Sequence, residues 1–371
     1  MLTTYSALGH QKRRSPQPSD LSYPYESSTV CEKGVPFDTA RIRVFGNAKR
    51  CHLMSARNSP PVSETLPLLL RETVIDGRSR HISCVEICGQ IYTIIRTGPS
   101  GLVRLENEWY EDVREPGAII DTLRRSKGIK GDIFTFWQRL PTLEPKYSYP
   151  IEWEELAVLP IKDYQHWWNH QIKSRVRNLI RKSEKQGLEV RETSFDDDFV
   201  RGMVTIFNEA PVRQGKPFFH YGKDFETVKR QFSRYLFRED MIGAYYHGEL
   251  IGFVMLGNAG VFGITGQIIS SLKHRDKATS NALIAKSVEL CEKKGMTYLV
   301  YLHWADDSLA EFKRRCGFER TRAPRYYVAL TPLGRLSLMA GVHRGWGQAL
   351  PKQIRGSLKR LRRALYGQPE E

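Results

Sequence analysis

The order of strand-like and helix-like segments after residue 187 most narrows what this 371-residue chain can fold into. Apolar residues there alternate between a period of two and a period near 3.6. The predicted order is a strand (188–192), two helices (199–209 and 225–237), a hairpin (241–258), a strand (260–270), a helix (280–295), a strand (297–304), a helix (308–316) and a strand (325–332). A hairpin that leads into alternating helices and strands predicts an α/β fold (α+β, with a mixed sheet).

A smaller α/β pattern precedes this one. Strand-like runs at 81–87 and 90–96 flank Cys88-Gly89, a hairpin turn, and a helix (117–127) and two strands (132–141 and 155–161) follow. We therefore predict five regions: a mostly disordered basic region (1–77), an N-terminal α/β module (78–163), a basic linking helix (164–187), the main domain (188–334) and a basic amphipathic tail (335–371). Translation could start at Met1 or at Met54.

Positive charge is concentrated in three short segments. The chain has a net charge of +16, of which residues 1–58 carry +5, residues 173–185 carry +5 and residues 335–371 carry +6. The rest of the chain is nearly neutral. Each segment could meet an anionic partner such as RNA, a phosphorylated substrate or an acidic membrane surface. The alternative is that each is only a solvated face.

The predicted helix 164–186 carries a basic ridge beside an apolar stripe. The stripe runs through Trp168, Ile172, Val176 and Leu179/Ile180. Like charges spaced four residues apart repel one another, so helix propensity alone would not select the ridge. The ridge and the row beside it predict an anion-binding face that consists of Arg175, Arg177, Asn178, Arg181 and Lys182.

Neither metal binding nor a membrane span is expected. The six cysteines form no CxxC pair and no Cys/His ligand spacing. The most apolar window, 242–269, is interrupted by polar residues and glycines, which is typical of strands and turns. Because no secretory signal is evident, we expect a reduced, cytoplasmic protein.

The tail segment 351–366 has the pattern of a basic amphipathic helix. Its apolar stripe consists of Ile354, Leu358, Leu361 and Leu365, and Lys and Arg occupy the other positions. Such a helix is suited to RNA or to an anionic membrane surface, so we expect a peripheral contact at the inner membrane face. Docking on the protein's own core is the alternative.

The main domain resembles the GNAT acyltransferases. Arg275-Asp276-Lys277-Ala278-Thr279-Ser280 resembles their Arg/Gln-x-x-Gly-x-Gly/Ala loop, with Ala278 and Ser280 at the glycine positions, and the segment 311–318 resembles their closing motif. The resemblance implies that backbone N–H groups and the helix start hold the pyrophosphate of acyl-CoA. The implied cofactor-binding residues are Ile269, Ser270, Lys273, Arg275, Lys277, Ala278, Thr279, Ser280 and Asn281.

A more specific resemblance, over 177–192, 207–222, 250–256 and 324–334, is to the Fem-type, double-GNAT (FemAB-like) proteins of bacteria. It implies that the N-terminal module is a degenerate GNAT-like unit. It also implies transfer of an acyl group to an amino group of a sugar, a peptide or a lipid-linked cell-envelope precursor. The donor would be acetyl-CoA or another acyl-CoA, with aminoacyl-tRNA as the second choice. A non-catalytic module that binds RNA or a membrane surface is the remaining alternative.

The loop 208–222 is the predicted substrate site, because it is rich in polar and aromatic residues. Glu209 or His220 could be the general base, and Tyr326 could protonate the leaving group. The alternative is that Glu209 only pairs with Arg213 and that the backbone satisfies His220. A backbone N–H near residues 268–270 would stabilise the oxyanion. The predicted substrate-binding residues are Asn208, Arg213, Gln214, Phe218, Tyr221 and Trp304.

Overall fold

A computed structural model of the protein describes residues 29–30, 66–75, 78–97, 100–213, 216–233, 236–304 and 308–344. The predictions for most of the first 65 residues, for Gln214 and for the amphipathic segment 351–366 lie outside these residues. Within them the chain forms a mixed sheet of thirteen strands, a separate two-stranded hairpin and eight α-helices. The predicted mixed α/β fold is confirmed.

The elements follow one another along the whole chain. The strands are β1 (Thr29–Val30), β2 (Leu69–Ile75), β3 (Arg78–Ile87), β4 (Gln90–Thr97), β5 (Ser100–Leu105), β6 (Ile133–Trp137), β7 (Ile151–Pro160), β8 (Glu189–Thr193), β9 (Val212–Arg213), β10 (Lys216–Pro217), β11 (Glu239–Tyr246), β12 (Glu249–Asn258), β13 (Phe262–Ser270), β14 (Tyr298–His303) and β15 (Glu319–Ala329). The helices are α1 (Pro116–Arg125), α2 (Tyr164–His166), α3 (Ser174–Lys185), α4 (Asp197–Phe207), α5 (Phe225–Phe232), α6 (Thr279–Lys293), α7 (Ser308–Arg315) and α8 (Pro332–Met339).

The two halves of the large sheet repeat one arrangement. In the N-terminal half, the antiparallel strands β3, β4 and β5 lead through α1 to β6, which is parallel to β5. In the C-terminal half, β11, β12 and β13 lead through α6 to β14, which is parallel to β13. Both crossover helices follow a residue in the left-handed conformation, Glu115 (φ 47°) before α1 and Ala278 (φ 50°) before α6.

The halves exchange their last strands. The sheet order runs β6-β15-β7-β14, so β15 from the end of the chain lies beside β6, and β7 lies beside β14. Tyr326 of β15 is paired with Phe136 of β6, and Leu299 of β14 is paired with Leu159 of β7. Each half therefore depends on a strand that follows the other half in sequence.

Helices cover the C-terminal half on both faces. One core lies under α3 and α6, and a second lies under α4 and α5. α4 begins where the Asp196 side chain accepts a hydrogen bond from the Phe199 N–H at 2.9 Å, and α5 begins at Asp224, which accepts from Thr227 at 2.7 Å. Such caps satisfy N–H groups that the helix itself leaves free.

The single helix predicted over 164–186 is wrong. After α2, residues Trp167–Gln171 form one π-helical turn, and Ile172 is extended (φ −99°, ψ 147°) before α3 begins. The wider turn moves the buried position from Trp168 to Trp167, whose indole N–H donates to the Cys316 carbonyl at 3.0 Å. Arg177 donates to the carbonyls of Trp168 and Ile172 at 2.8 and 2.7 Å, so it closes the break.

Candidate active site

β13 and β14 separate along their length and leave an opening between them. They pair only from Phe262 with Tyr298 to Ile264 with Val300, yet β13 continues to Ser270. On its other side β13 remains paired with β12 as far as Ser270. Because parallel strands end at the same edge of a sheet, the opening widens toward the carboxyl ends of both strands.

The pairing with β12 determines which backbone groups face the opening. The N–H of Ser271 donates to the Ile251 carbonyl at 2.7 Å. In an antiparallel ladder, alternate residues direct their N–H and C=O groups away from the partner strand. Ile268 and Ser270 therefore direct theirs toward β14, and the Ser270 carbonyl indeed accepts from Arg213 at 2.9 Å. This is the stretch where the sequence predicted an oxyanion donor.

The start of α6 lies beside the end of β13. The hydroxyl oxygens of Ser270 and Ser280 are 3.0 Å apart. Ala278 precedes the helix in the left-handed conformation, and no side chain of the described residues caps the helix start. The hydroxyl of Thr279 is buried and has no hydrogen-bond partner within the described part of the chain. Free N–H groups and an unpaired hydroxyl suit an anion.

The predicted cofactor-binding residues differ in how open they are. They share one loop and one helix start, from Ile269 to Asn281. Lys273 and Arg275 are exposed. Lys277 instead forms an ion pair with Asp276 at 3.1 Å and lies 4.4 Å from the centre of the Tyr246 ring. Lys273 and Arg275 are therefore the better placed of these basic residues to meet a ligand.

A groove of about 460 Å³ runs between α3, the start of α6 and α7. Its lining residues are Arg175, Val176, Leu179, Asn281, Glu311, Phe312 and Arg315. Of the predicted anion-binding face, Arg175, Asn178, Arg181 and Lys182 are exposed. Arg177 is occupied by backbone carbonyls, as described above. The basic face thus borders the same region as the start of α6.

Arg213 and Glu209 fasten the loop after α4 to the end of β13. Arg213 contacts the Glu209 carboxylate at 3.2 Å, and Glu209 also accepts hydrogen bonds from the Ser271 hydroxyl and, at 2.6 Å, from the Leu272 N–H. The two side chains are only 13% and 6% exposed. Burial lowers the pKa of Arg213, which Glu209 opposes. Both carboxylate oxygens are engaged, so a role for Glu209 as a base stays a prediction.

His220 is buried in the core beneath the same loop. Its ring is stacked on Phe207 with centroids 4.6 Å apart, and its Nδ1 lies 3.3 Å from the ammonium nitrogen of Lys223. Burial, together with the positive charges of Lys223 and Arg213, lowers the pKa of His220 to about 3. The ring is therefore neutral at pH 7. Its partner is a lysine side chain and not the backbone, and its role as a base stays a prediction.

The other predicted loop residues shape the backbone or lie at the surface. Asn208 accepts from the Gly222 N–H at 2.7 Å and donates to the Lys223 carbonyl at 3.2 Å. Phe218 lies under the Arg213 guanidinium, 4.6 Å away. Tyr221 is exposed. Of the predicted substrate-binding residues, Tyr221 is the one whose ring is open to solvent.

Tyr326 and Trp304 lie apart from that loop. Tyr326 is buried in the N-terminal core, where its hydroxyl donates to Gln138 at 2.8 Å and accepts from the Lys146 N–H at 2.9 Å. Trp304 follows β14, and its N–H donates to the Glu155 carbonyl at 2.7 Å. The structure does not bring Tyr326 together with Glu209 and His220, and its predicted role as an acid stays untested.

Sequence reasoning missed His303, the last residue of β14. Its ring is 5.9 Å from that of Trp109 and is partly exposed. Burial lowers the pKa of His303, and the Glu154 carboxylate opposes this. Lys313 donates to the His303 carbonyl at 2.7 Å and so fixes the strand end. Its position at the carboxyl end of a buried strand was the available signal.

The corresponding region of the N-terminal half is filled by side chains. Trp137 at the end of β6 donates to the Glu108 carbonyl at 2.8 Å. Arg325 of β15 pairs with the Glu108 carboxylate at 3.0 Å and also with Glu154. These contacts leave the opening between β13 and β14 as the candidate site.

Two further searches of the described residues found nothing. No group of three or more His, Cys, Asp or Glu side chains there could hold a metal ion. No helix of the described ranges is long and apolar enough to cross a membrane.

Comparisons with solved structures agree with the fold. The crystal structure of FemX aligns with a TM-score of 0.50 at 12% identity, covering 72% of this chain and 90% of that one. The C-terminal domain of a putative lysylphosphatidylglycerol synthetase from Agrobacterium fabrum aligns at 0.48 and 12% identity (70% and 87% covered), and L-PGS from Bacillus licheniformis at 0.47 and 14% (66% and 83% covered). No family model and no curated protein matches the sequence. The chain has a Fem-type, GNAT-like fold.

Proposed function

We propose that this protein is an N-acyltransferase that moves an acyl group from acyl-CoA to an amino group. The observation that carries the proposal is the opening between β13 and β14, which ends beside the uncapped start of α6. An opening between strands can hold an extended thioester arm, and a helix start can hold its phosphates.

The residues at the start of α6 fit the phosphates of such a donor. The N–H groups of Thr279 and Ser280 belong to the first turn of the helix, and the unpaired Thr279 hydroxyl supplies another polar group. Ala278 adopts the backbone conformation that a glycine would supply, although its Cβ narrows the approach. Exposed Lys273 and Arg275 add positive charge.

In the proposed reaction the amine nitrogen attacks the thioester carbonyl carbon. A C–N bond forms, the C–S bond breaks, and the thiolate leaves with the electron pair and then takes up a proton. The N–H groups of Ile268 and Ser270 donate to the carbonyl oxygen as negative charge develops on it. Alignment of the two reactants supplies much of the acceleration.

The incoming amine must lose a proton, and we assign that step to His303. It ends β14 at the edge where the opening is widest, and its lowered pKa keeps it neutral, and hence able to accept a proton, near pH 7. The acceptor in this proposal is an amino group of a sugar, a peptide or a lipid-linked precursor of the cell envelope. The reaction would take place in the cytoplasm.

Aminoacyl-tRNA is the second candidate donor. The exposed basic residues Arg175, Arg181 and Lys182 favour it, because they border the groove beside the start of α6. A polynucleotide could follow that face while its aminoacyl end entered the opening. Its binding would weaken steeply with salt.

Calorimetry with CoA tests the first proposal. We expect binding that Ser280→Tyr weakens at least about tenfold, because a large side chain then blocks the helix start. Ser233→Tyr, at the exposed end of α5, should leave binding unchanged. If CoA fails to bind and a charged tRNA binds with a steep salt dependence, the second donor replaces the first. Failure of both would support a non-catalytic binding module.

A further inference from the structure

The short helix α8 presents its large apolar side chains to solvent and its small ones to the protein. Leu333, Leu336 and Met339 are 42%, 62% and 80% exposed, whereas Gly334 and Ser337 are buried. A surface helix ordinarily turns its large apolar residues toward the core. The exposed residues lie at every third position and form a continuous stripe.

The orientation of α8 is fixed by close contacts on its inner side. A Cβ atom at Gly334 would lie 1.9 Å from the Asp132 carbonyl oxygen, so only glycine permits this approach. Thr331 accepts from the Gly334 N–H at 3.1 Å and donates to the Asp132 carboxylate at 2.7 Å. Beyond the helix, His343 contacts Glu152 at 2.8 Å. The helix cannot roll inward to bury its leucines.

Positive side chains surround the exposed stripe. Arg335 projects from α8 itself and is exposed. Arg124, at the end of α1, donates to the Ala329 carbonyl just before α8 at 3.1 Å. Lys127 and Lys130 are exposed on the connection from α1 to β6, whose Asp132 packs against Gly334. An apolar stripe with a basic rim matches an anionic lipid surface.

The sheet topology directs this surface to the same side of the molecule as the candidate site. β6 is antiparallel to β15, β15 to β7, and β7 to β14. The amino end of β6, where α8 packs, therefore lies at the same edge as the carboxyl end of β14. An eight-residue helix is only about 12 Å long. Its three exposed side chains offer far less than the roughly 800 Å² that each partner buries in a stable protein complex.

We propose that α8 is a membrane-docking surface. Leu333, Leu336 and Met339 enter the boundary between headgroups and acyl chains of an anionic bilayer, while Arg335, Arg124 and the neighbouring lysines contact lipid phosphates. This inference does not depend on the proposed acyl transfer.

Sedimentation of the full-length protein with vesicles tests it, using equal parts of phosphatidylglycerol and phosphatidylcholine. The double variant Leu336→Ser/Met339→Ser should lower partitioning about tenfold, and Arg335→Glu about fivefold. Pure phosphatidylcholine vesicles should bind weakly and should not distinguish Arg335→Glu from the unaltered protein. Phe237→Ser, an equally exposed apolar residue at the opposite edge of the sheet, should bind as the unaltered protein does.

Other occupants of the stripe would give different results. Unchanged vesicle binding by the double variant overturns the proposal. So does a change from dimer to monomer in light scattering without a change in vesicle binding, because a second copy then covers the stripe. A lower Tm of the double variant with undiminished vesicle binding would assign the stripe to the protein's own C-terminal segment. Circular dichroism verifies that each variant is folded.

Discussion

The guanidinium group of Arg325 lies 3.0 Å from the carboxylate of Glu108, and both side chains are almost fully buried. The same guanidinium pairs with Glu154. Although burial alone would raise the pKa of Glu108, Arg325 holds it below its usual range. One cation of β15 thus neutralises carboxylates from two other parts of the chain.

Arg325→Met should lower the free energy of unfolding by about 3–5 kcal/mol, because two buried carboxylates lose their partner. Denaturant unfolding measures the change. Arg322→Met, on the same strand but exposed, should change it by less than about 0.5 kcal/mol. Adding Glu108→Gln and Glu154→Gln to Arg325→Met should restore much of the loss. Equal effects of the Arg325 and Arg322 substitutions would refute the role assigned to the pair.

Ala278→Gly should stabilise the protein modestly. The left-handed conformation (φ 50°) costs alanine about 1 kcal/mol, and glycine avoids this although it adds freedom to the unfolded chain. We expect a gain of about 0.5 kcal/mol in thermal unfolding, and tighter CoA binding because the Cβ atom is gone. Ala282→Gly, buried within α6, should instead lower stability by about 1 kcal/mol. A loss of stability in both variants would show that Ala278 is not strained.

Acid should destabilise the fold through His220. The unfolded side chain takes up a proton near pH 6.5, but folded His220 does so only at about 3. Protons therefore favour the unfolded chain as the pH falls below about 6, by up to about 1.4 kcal/mol per pH unit. Above about pH 7 this contribution is fully present. Urea unfolding at several pH values should show a shallower slope for His220→Gln, and identical slopes would argue against a buried neutral imidazole.

His303→Gln should reduce kcat/KM for acyl transfer by about 10²- to 10⁴-fold, because the amine loses its base. The unaltered enzyme should lose activity as acid protonates His303, at a pH below the ordinary histidine value since burial lowers its pKa. The variant should lose that acid limb while its KM for the donor stays the same. His81→Gln, exposed on β3, is the matched control. A retained acid limb in His303→Gln would point to another base.

The C-terminal element order was predictable because each element carries its own local pattern. The turn at His247-Gly248 is confirmed by the pairing of Tyr246 with Glu249, and α6 starts within one residue of its predicted start. The loop before α6 was found through its motif. These features depend on neighbours in sequence, which periodicity and turn residues report directly.

Long-range pairing and burial could not be deduced in the same way. A period of two shows which residues of β15 share a face, but not that β6 and β7 are its neighbours. Tyr326 was therefore assigned to the site although it lies in the N-terminal core. Likewise, a polar loop gave no sign that His220 would be stacked beneath it on Phe207. The π turn at Trp167 added one residue that a regular helical period does not include.

The exchange of last strands bears on how the chain is synthesised. β6, whose five residues are all buried, leaves the ribosome long before β15, its antiparallel neighbour. At about 5–20 residues per second, roughly 10 to 40 s pass between translation of Trp137 and of Arg325. During that interval the apolar edge of β6 is an open template for other chains. Nascent N-terminal halves should therefore depend on chaperones, and ribosome stalling before β15 should lead to aggregation.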